Sequence, residues 1–134
     1  DGILYAAMIS VGFATLENFF YLNQYGLAVV ITRTVITIPA HIFMSVPMGY
    51  YVAKSRLLLE EGNKKRFSFY YPMITIIQGW IISSFLHGMY DFLISFKMES
   101  MAYLQIVMMG GISIWMSRVT LYAIRRKMLG DSTD

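Results

Sequence analysis

The chain has 134 residues, the length of a single domain, and 57% of them are hydrophobic whereas only 14% are charged. A soluble core of this size cannot bury so many apolar side chains, but a lipid bilayer accepts them on every face of a helix. The composition therefore excludes an ordinary soluble domain and predicts an all-α, polytopic transmembrane helical bundle. The chain contains no cysteine, which excludes disulfides, thiolate metal ligands and a cysteine nucleophile.

Four apolar stretches reach the length of about 20 residues that a helix needs to cross the hydrocarbon core. They cover residues 3–22, 27–53, 71–96 and 101–124. These stretches are longer than barrel strands and their apolar residues do not alternate, which favours helices over a β-barrel. The sequence thus predicts a single integral membrane domain over residues 1–134, with tight turns after the first and third spans.

Basic residues are concentrated on one side of the predicted bundle. They lie in the polar segment 54–66, predicted as a loop, and in the tail after residue 124. With four spans, this loop and both termini lie on one face, and the positive-inside rule assigns that face to the cytoplasm. Because this pattern accounts for the net charge of +3, we predict no nucleic-acid partner.

Five ionisable side chains interrupt the apolar stretches away from their cytoplasmic ends. They are Glu17, Arg33, His41, His87 and Asp91. Each costs about 2.5 to 3.5 kcal/mol if it faces lipid at the centre of a helix, which favours positions that face the bundle interior. At a rise of about 1.5 Å per residue, all five lie between the middle and the outer half of the membrane. The sequence therefore predicts that they converge on one site from three helices.

Two histidines and two carboxylates suit a metal site or the activation of a water molecule. A neutral imidazole binds a metal or accepts a proton, and a carboxylate serves as a ligand or a general base. The candidate metal ligands are His41, His87, Asp91 and Glu17. Next to Glu17, Asn18 adds an amide and Phe13 shares a helix face, so both are predicted to support the site. A purely structural ion-pair network is the alternative, but such a network needs only two of these groups.

Three motifs in this order resemble the PrsW family of intramembrane proteases, distant relatives of the CAAX-prenyl protease and Abi group. The stretch GFATLENFFY contains F-x-x-x-E, RTVITIPAHIFMSVPMGY contains an arginine and a Pro-Ala-His sequence, and HGMYDF contains H-x-x-x-D. The resemblance covers roughly residues 1–92. It implies an integral protein of a bacterial or archaeal plasma membrane that hydrolyses a peptide bond of a single-span regulatory protein, such as an anti-sigma factor.

The resemblance also implies roles for individual residues. It places Glu17, His87 and Asp91 in the active site, with His41 beside them and Arg33 in a supporting position. In the implied mechanism, an upstream glutamate deprotonates a water held by the histidines, and imidazole or Arg33 stabilises the oxyanion. The sequence leaves open whether the peptidase depends on a metal, with zinc as the candidate, or on glutamate alone.

One motif of the family is expected to lie outside this chain. The family's E-E-x-x-K motif belongs on a helix before F-x-x-x-E, and the same letters at residues 60–64 are interpreted as a coincidence because Gly62 and Asn63 disfavour a helix there. If the paired glutamates supply the general base, residues 1–134 alone are expected to be inactive. Two other functions remain alternatives: a non-catalytic membrane scaffold or binding protein, and a proton or ion pathway. The identity of the substrate, its cleavage site and the oligomeric state are not indicated.

Overall fold

A computed structural model describes residues 2–61 and 70–128 of the chain. Within these residues the polypeptide forms four α-helices, which confirms the all-α prediction. They are α1 (Gly2–Tyr25), α2 (Leu27–Glu61), α3 (Tyr70–Ser95) and α4 (Glu99–Met128).

Three of these helices are long and apolar enough to cross a membrane. Among the described residues, the segments that meet this condition are Gly2–Tyr25, Leu27–Leu59 and Glu99–Arg126. Helix α3 is not among them, so the fourth span stays a prediction. Large apolar side chains cover the outer surface, and Val35, Phe85 and Val107 are 68 to 72% exposed. Such a surface fits contact with lipid rather than with water.

Helix α2 is longer than the sequence analysis predicts. The segment 54–66 is predicted as a loop, but α2 continues through Lys54 as far as Glu61. The reason is local: arginine, leucine and glutamate dominate this stretch, and all three favour the helical conformation. The prediction of a loop is therefore wrong for residues 54–61. The rest of the segment, including most of the E-E-x-x-K-like string, lies outside the described residues.

The two short connections are tight turns, as predicted. Gly26 links α1 to α2 with a φ of 80°, a conformation that glycine adopts without steric cost. Lys97 ends α3 in the left-handed conformation with a φ of 58°. The amide of Met98 donates to the Leu93 carbonyl over 2.8 Å, and the amide of Lys97 donates to the Ile94 carbonyl over 3.0 Å, which together form a Schellman motif. Both turns reverse the chain, so α1 runs antiparallel to α2 and α3 runs antiparallel to α4.

Helix α2 lies at the centre of the fold and packs against each of the other three helices. Two glycines permit its closest contacts. A Cβ atom on Gly49 would lie 2.5 Å from the Cα atom of Ile3 in α1, and one on Gly79 of α3 would lie 2.6 Å from the Cβ atom of Tyr51. Helices α1 and α3 are thus both held close to α2 near one end of the bundle.

A small apolar core lies between α2, α3 and α4. It consists of Ala40, Met44, Tyr90 and Ala102. Helices α1 and α3 contact α2 far more extensively than they contact each other, and a groove lies between them over α2.

Pro47 is fully buried inside α2 and cannot donate a backbone hydrogen bond to the carbonyl of Phe43. The hydroxyl of Ser113 in α4 donates to this carbonyl instead, over 3.0 Å. A neighbouring helix thus satisfies the carbonyl that the proline leaves without its usual donor.

We expect Ser113→Ala to lower the free energy of unfolding by about 1 to 3 kcal/mol, because the buried Phe43 carbonyl loses its partner. In a Pro47→Ala background the new backbone N–H can bond to this carbonyl, so the same change should cost less. A double-mutant cycle, measured by reversible unfolding in detergent micelles, checks the coupling. An equal loss in both backgrounds would contradict this account of the hydrogen bond.

Candidate active site

Glu17 of α1 and His41 of α2 meet across the interface of these two helices. The Cβ atoms of an α-helix tilt toward its N-terminus, and α1 and α2 are antiparallel, so the two side chains lean toward each other along the bundle. The Oε2 atom of Glu17 lies 3.1 Å from the Nε2 atom of His41. His41 is only 4% exposed, so the carboxylate supplies the polar partner that a buried imidazole requires.

His87 of α3 completes a cluster with these two residues. Its ring centroid lies 4.7 Å from that of His41, at an interplanar angle of 68°. One ligand atom from each of Glu17, His41 and His87 lies within 4.8 Å of the other two. Phe13 packs against both imidazoles, with centroid distances of 5.8 Å to His41 and 6.1 Å to His87. Three helices thus bring together one carboxylate and two histidines, covered on one side by an aromatic ring.

Asp91 contacts the cluster only through His87. Its Oδ2 atom lies 3.1 Å from the Nε2 atom of His87, one helical turn away on the same face, and its side chain is 57% exposed. A carboxylate that holds one nitrogen of an imidazole orients the ring and leaves the other nitrogen, here Nδ1, for a ligand. The structure therefore places Asp91 as a partner of His87 and not in the group of three close ligand atoms.

Arg33 lies on the other side of Glu17. Its Nη2 atom donates to Glu17 Oε2 over 3.4 Å, and its Nε atom donates to Asn18 Oδ1 over 3.2 Å. The amide of Asn18 in turn donates to the hydroxyl of Thr34 over 3.3 Å. Asn18 is buried, so this network ties α1 to α2 and fixes the position of the guanidinium group.

Tyr21 is a part of the site that the sequence analysis missed. The Arg33 guanidinium carbon lies 3.5 Å from the centroid of the Tyr21 ring, a cation–π contact. Tyr21 follows Glu17 by four residues and so shares its helix face, which is a signal that could have found it. The stacking leaves Arg33 little freedom to turn away from Glu17.

The groove between α1 and α3 begins at this cluster. It has a volume of about 450 Å³, and His41 and His87 line it together with Phe13. Gly88 also lines the groove, and a Cβ atom on it would meet no described atom within 4 Å. Gly88 therefore faces open space beside His87 and does not serve a close helix contact, unlike Gly49 and Gly79.

Comparison with known proteins decides the family. Residues 1–117 match the family described as PrsW family intramembrane metalloprotease. The chain belongs to the PrsW family. Among its relatives, Protease PrsW of Shouchella clausii is 40% identical over 95 residues, which cover 71% of this chain and 40% of that protein. Protease PrsW of Bacillus subtilis is 35% identical over 95 residues, which cover 71% of this chain and 39% of that protein.

The match to PrsW relatives is partial in length. Protease PrsW of Clostridioides difficile is 38% identical over 98 residues, which cover 70% of this chain and 38% of that protein. The chain thus spans about two fifths of the length of these relatives. No solved structure matches the chain significantly.

The residues present fit a bound metal ion, as the description of the PrsW family as metalloproteases implies. Two imidazoles and one carboxylate are a ligand set that suits zinc, which then keeps a fourth position open. Ligand atoms on a tetrahedral zinc ion lie about 3.4 Å apart, given bonds of about 2.1 Å. The observed atoms of Glu17, His41 and His87 are all within 4.8 Å of one another, a difference that small side-chain rotations can close.

Proposed function

We propose that this chain is part of an intramembrane protease in which Glu17, His41 and His87 hold a divalent metal ion, zinc by ligand preference. One observation carries the proposal. Three polar side chains from three apolar helices converge to within 4.8 Å in a chain of the PrsW family. Burying such groups inside a membrane protein is costly, and that cost favours a functional site over a structural one.

Each residue around this site has a task in the proposed reaction. Glu17, His41 and His87 bind the ion, whose chemistry when bound is to polarise a carbonyl and to generate a nucleophile from water at neutral pH. Asp91 orients the His87 ring from a distance of 3.1 Å. Arg33 holds Glu17 in place and brings a positive charge to the cluster, which favours negative charge developing on the substrate carbonyl.

The proton released by water needs an acceptor, and in this proposal the acceptor belongs to the paired glutamates of the family's E-E-x-x-K motif. That motif precedes F-x-x-x-E in the motif order of the family, so the proposed active site of the intact protein draws on residues beyond Glu17, His41 and His87.

We also propose the membrane arrangement that this site requires. Helix α3 acts as the fourth span, because its 26 residues reach about 39 Å and it runs antiparallel to α2 from Gly79 to His87. The end of α2 that carries Lys54 and Arg56 faces the cytoplasm, together with the C-terminal end of α4. The proposed substrate is a single-span regulatory protein of the anti-sigma type, held in the plasma membrane of a bacterium or archaeon.

Removing the metal from the full-length protein tests this function. Purified in detergent and mixed with a single-span membrane substrate, the protein is expected to lose at least about 100-fold of its cleavage rate after treatment with a zinc chelator. Added zinc should restore the rate. Cleavage that survives chelation, in protein that contains no bound metal, would favour a reaction driven by glutamate alone. Proton flux through liposomes without any proteolysis would instead support an ion pathway.

A further inference from the structure

The groove beside the metal-ligand cluster has two walls and a floor. Helices α1 and α3 form the walls and α2 forms the floor. Because the helices are antiparallel, Met48 and Trp80 line one end and His41 and His87 line the other. The two ends are seven residues apart on α2, which corresponds to about 10 Å.

The size of the groove suits a short extended peptide and not a helix. A 10 Å length of α-helix, about 10 Å wide with its side chains, occupies roughly 800 Å³. The groove offers about 450 Å³ over the same length, a little more than half of that volume. A length of about 10 Å holds about three residues at the extended rise of about 3.3 Å per residue. A helix can therefore enter this groove only in part, whereas an extended chain fits along its length.

The walls offer hydroxyl groups that an unwound peptide needs. Ser10 on α1 and Ser84 on α3 both line the groove, and neither hydroxyl forms a hydrogen bond within the described residues. By contrast, Ser45 donates to the Ile42 carbonyl, and the oxygen of Ser83 accepts from the Met48 amide. Unwound backbone inside a membrane must find hydrogen-bond partners in the protein, because lipid chains supply none. The two free hydroxyls, one on each wall, match this need.

Gly88 determines how much space is left next to His87. It lies one residue beyond this imidazole on the groove side of α3, and the position where a Cβ atom would stand is open. Phe13 stands on the opposite wall, with its ring centroid 6.1 Å from that of His87. Any larger residue at position 88 would take the space through which a substrate chain passes His87.

We propose that the groove binds about three residues of the substrate's membrane segment in an extended conformation, with Ser10 and Ser84 bonded to its backbone. In this arrangement, Gly88 admits the substrate residue nearest to the scissile bond and thereby determines its permitted size. The inference rests on the proposed protease function and adds the substrate's conformation and a specificity-determining residue.

Disulfide cross-linking tests the groove without relying on cleavage. These 134 residues contain no cysteine, so Ser10→Cys and Ser84→Cys each introduce a unique thiol here. Each cysteine variant is made in the full-length protein that also carries Glu17→Gln, which stops turnover. It is then cross-linked to a series of substrates, each of which carries one cysteine at a different position of its membrane segment. We expect adjacent substrate positions to react with opposite walls, as in an extended chain. Gly12→Cys, on the same helix but outside the groove, should give no cross-link.

Cleavage measurements test the role of Gly88. Two substrates are compared, one with a bulky residue and one with alanine at the scissile bond. Gly88→Leu is expected to lower the cleavage rate of the first relative to the second by about tenfold or more. Gly12→Leu is the matched control, because a Cβ atom at Gly12 also meets no described atom within 4 Å, and it should cleave both substrates like the parent. The pair Ser10→Ala and Ser84→Ala should slow cleavage of both substrates about tenfold.

The outcomes separate this inference from the protease assignment. Suppose that the parent protein cleaves its substrate but Gly88→Leu keeps the parent's preference between the two substrates, and that cross-links are absent or recur every three to four positions as in a helix. The inference about the groove is then wrong, whereas the proposed protease function is unaffected. Cross-links of the expected pattern, without cleavage by the parent protein, would support the groove as a peptide-binding site and overturn the protease.

Discussion

The change Glu17→Gln is expected to abolish proteolysis by the full-length protein, with a loss of at least about 100-fold in cleavage rate. The Oε2 atom of Glu17 accepts from Arg33 and lies 3.1 Å from His41, so one atom connects the guanidinium group to the buried imidazole. Glutamine keeps the size of the side chain but removes its negative charge and the proposed metal ligand. Immunoblotting of a single-span substrate measures the rate, and elemental analysis measures a parallel loss of bound zinc.

A second glutamate in the chain gives the control for this prediction. Glu99 lies in the first turn of α4 and is exposed. The change Glu99→Gln removes the same charge at a position away from the cluster, and it should leave cleavage and zinc content within about twofold of the parent, as surface substitutions usually do. If Glu17→Gln retained more than a tenth of the parent's rate, Glu17 would not be the metal ligand that the proposed function requires.

The change Gly49→Ala is expected to destabilise the protein by about 1 to 3 kcal/mol or more, because it overpacks a close contact between two backbones. The new methyl group would lie 2.5 Å from the Ile3 Cα atom, 2.9 Å from the Gly2 carbonyl oxygen and 3.0 Å from the Ala6 Cβ atom. Backbone atoms cannot rotate away, so α1 must move as a unit. Unfolding by denaturant in detergent micelles, or the temperature at which trypsin begins to cut, measures the loss.

Gly12 supplies a comparison on the same pair of helices. A Cβ atom at Gly12 meets no described atom within 4 Å, so Gly12→Ala should be neutral or should stabilise α1 by up to about 1 kcal/mol through helix propensity. Because α1 carries Glu17, the displacement caused by Gly49→Ala should also lower cleavage, whereas Gly12→Ala should not. Equal stability of the two variants would show that the contact at Gly49 does not hold α1 in place.

Part of this architecture could be inferred from local patterns. Long apolar stretches predict helices because hydrogen bonds within a membrane must be satisfied inside the same segment. Tight turns at Gly26 and Lys97 follow from the shortness of the polar connections. The end of α2 could not be predicted in this way: the charges at Lys54 and Arg56 predict the end of the apolar segment, but the helical propensity of the residues that follow extends the helix to Glu61.

The candidate active site, like the fold, could be predicted only in part from the sequence. The sequence alone indicated that Glu17, His41 and His87 lie at similar depth on three apolar helices, because depth follows from counting residues along each helix and isolated charges avoid lipid. It did not indicate which carboxylate joins the two histidines, nor that a groove opens beside them. Those features depend on how each helix is rotated about its axis and how closely it approaches its neighbours. Contacts between residues distant in sequence, at Gly49 and Gly79, decide both, and only the tertiary structure contains them.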